Sequence, residues 1–222
     1  MSETMKLQLA IDDISLRAAL TLVDKVRDYF DIIEVDTPFP YVKGLAAVHE
    51  LRKRFPEKEI LADMKITNAG EYETREALRA GADYVTVLSV TDILTVKGCL
   101  RVAKEFGKTI VAELIYEPDL PSRIRQLESV GVRALAAHPC ADHLATGQLP
   151  FDQLRAIRSA SRSSKIFVAG AINATPLPDY ARLGADVFIV GGEVCRADDP
   201  IAAARNIYGR VKKRQLEYAS AG

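Results

Sequence analysis

Cysteine is scarce in this sequence, with three in 222 residues, at Cys99, Cys140 and Cys195. The count is odd and no C-x-x-C pair occurs, so neither a disulfide framework nor a zinc knuckle is expected, and reduced thiols in a cytoplasmic protein are. Long hydrophobic runs are missing as well. Nowhere do about 18 apolar residues follow one another, and a membrane-spanning helix is not expected. The opening Met1-Ser2-Glu3-Thr4-Met5 has neither the basic flank nor the apolar stretch of a signal peptide. Charge of one sign is not in excess, since 30 Lys and Arg face 30 Asp and Glu. That balance argues against a protein held to nucleic acid or to an anionic membrane by bulk charge. No Pro/Gly/Ser-rich linker divides the chain, so one domain over 1–222 is expected, with a short flexible tail from about 215. What is present is globular in character. At 48% hydrophobic and 27% charged the chain is apolar enough to avoid wholesale disorder and long enough to bury a full core.

Short β-branched runs recur at Leu7–Ile11, Ile32–Val35, Ile60–Met64, Tyr84–Leu88, Thr109–Leu114, Ala134–Ala137, Ile166–Ala169 and Val187–Val190. Most are continuously apolar, as parallel strands covered on both faces are. Helical periodicity fills the intervals. Ser15 is placed to cap a helix carrying Leu16, Leu20, Leu22, Val23 and Val26. Leu45, Val48, Leu51 and Phe55 mark a second helix, and Ile124, Leu127 and Val130 a later one. The joints Ala80-Gly81-Ala82-Asp83, Val130-Gly131-Val132-Arg133 and Leu183-Gly184-Ala185-Asp186 each offer a glycine for a left-handed helix end just before a strand. Eight such units fit an α/β fold of the (β/α)₈ TIM-barrel type. An open doubly wound sheet is the alternative. Its dinucleotide-binding form needs a glycine-rich first turn, and Asp12-Asp13-Ile14-Ser15 stands there instead.

Barrel chemistry sits at the C-terminal ends of the strands. Those positions hold Asp12, Glu34 with Asp36, Asp63 with Lys65, Glu113 and His138. A single carboxylate at a strand end is more often a helix cap or an ion-pair partner. Carboxylates on four strand ends are costly unless a cation or the lysine relieves them. Hard oxygen ligands of this kind suit magnesium or manganese. After the last two strands, Gly170-Ala171 and Gly191-Gly192 carry little side-chain bulk. Backbone N–H groups can approach an anion there, and this is a frequent phosphate position in barrels.

Leu7-Gln8-Leu9-Ala10-Ile11-Asp12, Glu34-Val35-Asp36-Thr37-Pro38 and Leu61-Ala62-Asp63-Met64-Lys65 resemble the first three strands of the 3-hexulose-6-phosphate synthase family. Val85-Thr86-Val87-Leu88, His138 followed by Ala145-Thr146-Gly147-Gln148, and Asp199-Pro200 extend the resemblance from about Lys6 to Arg210. That family belongs to the orotidine 5′-monophosphate decarboxylase suprafamily, marked by Asp-x-Lys-x-x-Asp on the third strand. 3-Keto-L-gulonate-6-phosphate decarboxylase is its close relative. The resemblance implies an aldehyde-lyase that condenses formaldehyde with D-ribulose 5-phosphate, reversibly and with magnesium, through a metal-stabilised enediolate. It implies Glu34 and Asp63 as metal ligands and His138 as the proton carrier, histidine titrating nearest neutrality. Lys65 would stabilise or protonate the enediolate, and Asp12 and Glu113 would hold substrate hydroxyls or Lys65. It also implies a homodimer whose active sites are completed across the interface by the third-strand motif, which brings in Asn68.

Several positions depart from the pattern. The motif ends in Asn68 rather than Asp, which removes a charge and predicts a Lys65 short of an anionic neighbour. Asp36 replaces a glycine beside the expected metal. Ala141 stands where the decarboxylase has an arginine, whereas Glu113 and Ile66 are nearer the decarboxylase pattern. Ala171 replaces a glycine, which predicts a negative φ there. Gly192 lies at another arginine position of the decarboxylase, with Arg196 one turn on as a replacement. The rival readings are the decarboxylase itself and a sugar-phosphate-binding barrel without catalysis. A soft-metal site at Cys140 and His143, a Cys140 nucleophile, and nucleic-acid binding by the basic run Arg210–Arg214 are all disfavoured. Cations near the end of a last helix are accounted for by its dipole.

Overall fold

The computed structural model describes residues 5–11, 14–37, 39–140, 147 and 149–221, with side chains at all of these except 40, 41 and 218–221. Asp12 and His143 therefore lie outside the described residues, as do Ala141, Ala145, Thr146 and Gln148. Each apolar run forms a strand: β1 Lys6–Ile11, β2 Ile32–Val35, β3 Glu59–Ile66, β4 Tyr84–Leu88, β5 Thr109–Glu113, β6 Ala134–Ala137, β7 Lys165–Val168 and β8 Val187–Val190. They close in chain order into one parallel barrel, β8 pairing back to β1 through Lys6↔Val187 and Leu9↔Val190. The open sheet is thereby excluded. β3 runs two residues beyond its expected end because its pairing with β4 slips between Ala62 and Ile66, a bulge that carries Asp63 and Lys65.

Alternation along each strand separates two cores. Leu7, Leu9 and Ile11 face outward into the main cluster with Ile33, Val35 and the helices. Ile32, Leu61, Val111, Ala134, Ala136, Phe167 and Val187 fill the barrel interior, packed by Tyr84 and Ile189. Helices cover the outside: α1 Leu16–Val26, α2 Phe39–Lys43, α3 Ala46–Arg54, α4 Gly70–Arg79, α5 Ile93–Phe106, α6 Leu120–Val130, α7 Phe151–Ala160, α8 Leu177–Arg182, α9 Gly192–Cys195 and α10 Pro200–Ala221. α1 shows the logic. The Ser15 hydroxyl accepts from the Ala18 N–H at 3.2 Å, and Ala19, Leu22, Val23 and Val26 are the buried stripe. Each large aliphatic so buried contributes about 1.5–3 kcal/mol.

The helix-to-strand joints adopt the expected left-handed glycines, with φ of 111° at Gly81, 110° at Gly131 and 85° at Gly184. At two of them an arginine lies against the glycine face. A Cβ on Gly81 would sit 2.7 Å from Arg52 Cγ, and one on Gly184 2.7 Å from Arg158 Cδ. Arg52 then pairs with Asp83, whose carboxylate accepts the Ile60 N–H at 2.8 Å. Asp186 likewise accepts the Ile166 N–H at 2.7 Å, and Asp31 the Leu7 N–H at 2.9 Å. These aspartates fasten the start of one strand to the start of the next.

The basic run at 210–214 lies inside α10 rather than at its end, so the helix dipole does not account for it. Its charges are met locally: Arg214 pairs with Glu217 at 2.6 Å, and Lys212 lies over the Tyr208 ring at 5.2 Å. Among the described residues no helix is long and apolar enough to cross a membrane. No disulfide joins the three cysteines.

Candidate active site

The interior positions at the upper strand ends open into a cavity of about 770 Å³. Glu34, Lys65, Thr86, Glu113 and His138 line it from β2 to the end of β6, and Gly170, Ala171, Gly191 and Gly192 from the turns after β7 and β8. Asp63 lies behind this lining and is fully buried. The fold thus gathers the sequence-derived residues, with two qualifications. Asp12 lies outside the described residues. Asn68 sits exposed on the turn after β3 and does not line the cavity of its own chain.

Asp63 is the hub. Its Oδ1 accepts the Thr86 hydroxyl at 2.7 Å, while its Oδ2 accepts the Thr37 hydroxyl at 2.7 Å, the Thr37 N–H at 3.1 Å and the Lys65 ammonium. Burial alone would raise its pKa, but the Lys65 charge and these hydrogen bonds hold the carboxyl well below the usual range. Lys65 also donates to the Thr37 hydroxyl at 2.8 Å and stands 3.7 Å from Glu113 Oε2. The expectation that Lys65 is short of an anionic neighbour is therefore not met. Burial opposes its charge, yet Glu113, Asp63 and Asp36 together hold the ammonium above its ordinary value. Its backbone is left-handed, with φ 45°, at the bulge of β3.

Glu113 Oε2 is buried without a hydrogen-bond partner among the described residues, and stands 3.7 Å from both Lys65 Nζ and His138 Nδ1. Burial, then the Asp63 charge, push its carboxyl upward. An acidic side chain so placed links the lysine to the histidine across the cavity.

Glu34, Asp36 and Asp63 each bring one carboxylate oxygen within 4.8 Å of the others. Desolvation and mutual repulsion raise Glu34 to about 8 and Asp36 well above the carboxylate range. Three hard oxygen donors that resist ionising together fit a divalent cation of the magnesium or manganese type. Asp36, noted in the sequence only as an added charge, is a full member of the group. Thr37 and Thr86 were missed by sequence reasoning. Thr86 was open to detection as the polar residue at the inward position of an apolar strand.

Across the cavity the two glycine turns differ in kind. Gly170 has φ 120°, and its carbonyl accepts the Tyr180 hydroxyl at 3.0 Å. Ala171 has φ 47°, contrary to the expected negative value. The methyl is the smallest side chain that meets this left-handed conformation, and it is tolerated at a cost of about 1–2 kcal/mol. At Gly192 a Cβ would collide with Arg196 Nη2, so the guanidinium occupies the space a side chain would take. Arg196 lines the cavity, as the sequence reading required of a replacement arginine. Asp199, of the Asp199-Pro200 pair, caps α10 through the Ile201 and Ala202 N–H groups, both at 3.0 Å.

Comparison with known proteins agrees with this geometry. Residues 5–207 match the orotidine 5′-phosphate decarboxylase / HUMPS family. A 3-hexulose-6-phosphate synthase of Staphylococcus aureus (strain USA300) is 38% identical over 201 residues, covering 90% of this chain and 96% of its own. The crystal structure of 3-hexulose-6-phosphate synthase from Salmonella typhimurium is 45% identical, covers 94% of this chain and 99% of its own, and superposes with a TM-score of 0.92. KGPDC from Streptococcus mutans, solved in complex with a sugar phosphate, is 25% identical with a TM-score of 0.88, covering 95% of this chain and 99% of its own. By its barrel, its strand-end residues and these similarities, the chain belongs to the orotidine 5′-phosphate decarboxylase / HUMPS family.

Proposed function

We propose that this chain is a 3-hexulose-6-phosphate synthase-type aldolase. It joins formaldehyde to D-ribulose 5-phosphate, reversibly, in the cytoplasm, with magnesium as cofactor and manganese able to replace it. The observation that carries this reading is one cavity with an acid–lysine–histidine set on one side and two glycine turns with Arg196 on the other. The 45% identity to the Salmonella synthase supports it.

Held by Glu34, Asp36 and Asp63, a divalent cation supplies Lewis-acid relief of negative charge developing on the substrate's oxygens. The remaining work falls to the chain. The Gly170-Ala171 and Gly191-Gly192 turns and the Arg196 guanidinium receive the phosphate. His138 takes a proton from the carbon beside the substrate carbonyl, leaving an enediolate. Lys65, kept cationic by Asp63 and Glu113, donates a hydrogen bond to the oxygen on which charge accumulates. The enediolate carbon attacks formaldehyde, a C–C bond forms, and the new alkoxide takes the proton back from His138. Glu113, 3.7 Å from His138 Nδ1, orients the imidazole through the transfer.

The dimer belongs to the same proposal. Val42, Tyr72 and Leu94, exposed by 70%, 70% and 71%, stand on the helices that follow β2, β3 and β4. A second copy covering that face would bring its Asn68 turn toward this cavity.

Incubation with ribulose 5-phosphate and magnesium in deuterated buffer tests the chemistry. Exchange of the hydroxymethyl protons without formaldehyde, and consumption of formaldehyde when it is added, are expected. Carbon dioxide release from 3-keto-L-gulonate 6-phosphate would instead favour the decarboxylase, to which Glu113 is the pointer. Binding of the sugar phosphate with neither reaction would leave a barrel that binds without catalysis.

A further inference from the structure

Gln8 is the polar exception in the barrel floor. Strand pairing sets it in register with Ile32 of β2 and Ile189 of β8, among the apolar side chains that fill the interior. It is fully buried, yet it borders the cavity. Its Nε2 donates to Glu34 Oε2 at 2.6 Å, and no other described residue donates to that carboxylate. Its Oε1 is buried with no hydrogen-bond partner among the described residues. An ionised carboxylate only accepts, so the amide nitrogen must face Glu34 and the carbonyl oxygen is committed elsewhere. A methionine would fill this space without burying an unmet acceptor. A glutamine held here at a cost to stability needs a compensating task.

Glu34 supplies one. Asp63 is fixed by Thr37, Thr86 and Lys65, whereas Glu34 is repelled by Asp63 and Asp36 and has Gln8 to hold it. We propose that Gln8 is a positioning residue, whose amide fixes the Glu34 carboxylate at the angle from which it shares a cation with Asp36 and Asp63. This rests on the reading of those three carboxylates as a cation site.

Titration with manganese, followed by electron paramagnetic resonance on the full chain, separates the two claims. Wild type, Gln8→Met and, as control, Asp63→Ala are compared, with circular dichroism and thermal melting run alongside. Gln8→Met should melt no lower than wild type and bind manganese at least about tenfold more weakly, the usual consequence of removing a hydrogen bond behind a ligand. Binding by Gln8→Met equal to wild type, with Asp63→Ala impaired, would overturn the role of Gln8 and leave the cation site standing. Wild-type binding no tighter than that of Asp63→Ala would remove the site and the proposal with it. Should Gln8→Met fail to fold, the side-chain amide resonances of Gln8 in ¹⁵N-labelled wild type decide. They should shift in step with magnesium saturation, and resonances that stay put count against the proposal.

Discussion

Lys65 adopts a left-handed backbone where β3 slips its register against β4, and its side chain closes on Asp63, Thr37 and Glu113. A positive φ at a non-glycine residue costs about 1–2 kcal/mol. Here the surrounding ion pairs and the Thr86 hydroxyl, which accepts the Lys65 N–H at 2.8 Å, hold it in place. The cost falls on the residue whose charge the site uses. Asp63→Ala should abolish metal-dependent turnover, because it removes a cation ligand and the main anchor of Lys65 together. Initial-rate assays with and without chelator measure this, and unchanged turnover would refute the site. Asn68→Asp should raise formaldehyde-condensing activity by restoring the family motif. At this scale the sequence was informative about identity and less so about partnership. Glu34, Asp63, Lys65, Glu113 and His138 were legible as strand-end residues. That Asp36 completes a trio and that Thr37 and Thr86 serve Asp63 depends on contacts between strands 23 or more residues apart.

At the level of elements, the turn between α7 and β7 is held by one carboxylate on α6. Glu128 accepts the Ser161 and Ser164 hydroxyls at 2.7 and 2.8 Å, and the N–H groups of Arg162, Ser163 and Ser164 at 3.1–3.2 Å. Burial would raise its pKa, but these donors override it and bring the carboxyl from 4.5 to about 2. A depressed carboxylate pKa stabilises the fold above the unfolded value, and the gain is lost as pH falls from 4.5 toward 2. After allowance for solvent screening, Glu128→Ala should cost about 1 kcal/mol at neutral pH. For a chain of this size that lowers the melting temperature by about 2–4 °C. Melting curves across pH should show wild type and variant converging as the medium is acidified toward pH 2, and a difference independent of pH would contradict the assignment. The Ser161-Arg162-Ser163-Ser164 stretch is legible as a turn, but its partner lies 33–36 residues away on a helix face.

For the whole molecule, the barrel faces its Asn68 turn away from its own cavity, while the proposed chemistry uses that turn from a second copy. Co-expression of Lys65→Ala with Asn68→Ala chains tests this arrangement. Hybrid dimers should regain part of the wild-type activity that neither variant shows alone, since one of their two sites is then intact. No recovery in a sample whose sedimentation confirms dimers, at twice the 24.4 kDa chain mass, would place Asn68 outside the active site.

The sequence by itself determined the eight strands, their parallel order and the glycine joints, because these follow from local apolar runs and from backbone conformations that few residues reach. It also determined which carboxylates stand at strand ends. Tertiary structure alone decided how those groups share charge. Closing the barrel removes water from Glu34 and Asp36, which raises them, and sets Lys65 beside Asp63, which lowers it. Burial and distance fix those shifts, and neither is a property of a residue's place in the chain. The same closure folded Arg196 over Gly192 and gave Ala171 its left-handed backbone. A chain with no net charge thus carries an acidic group on one side of its cavity and an arginine-backed pair of glycine turns on the other.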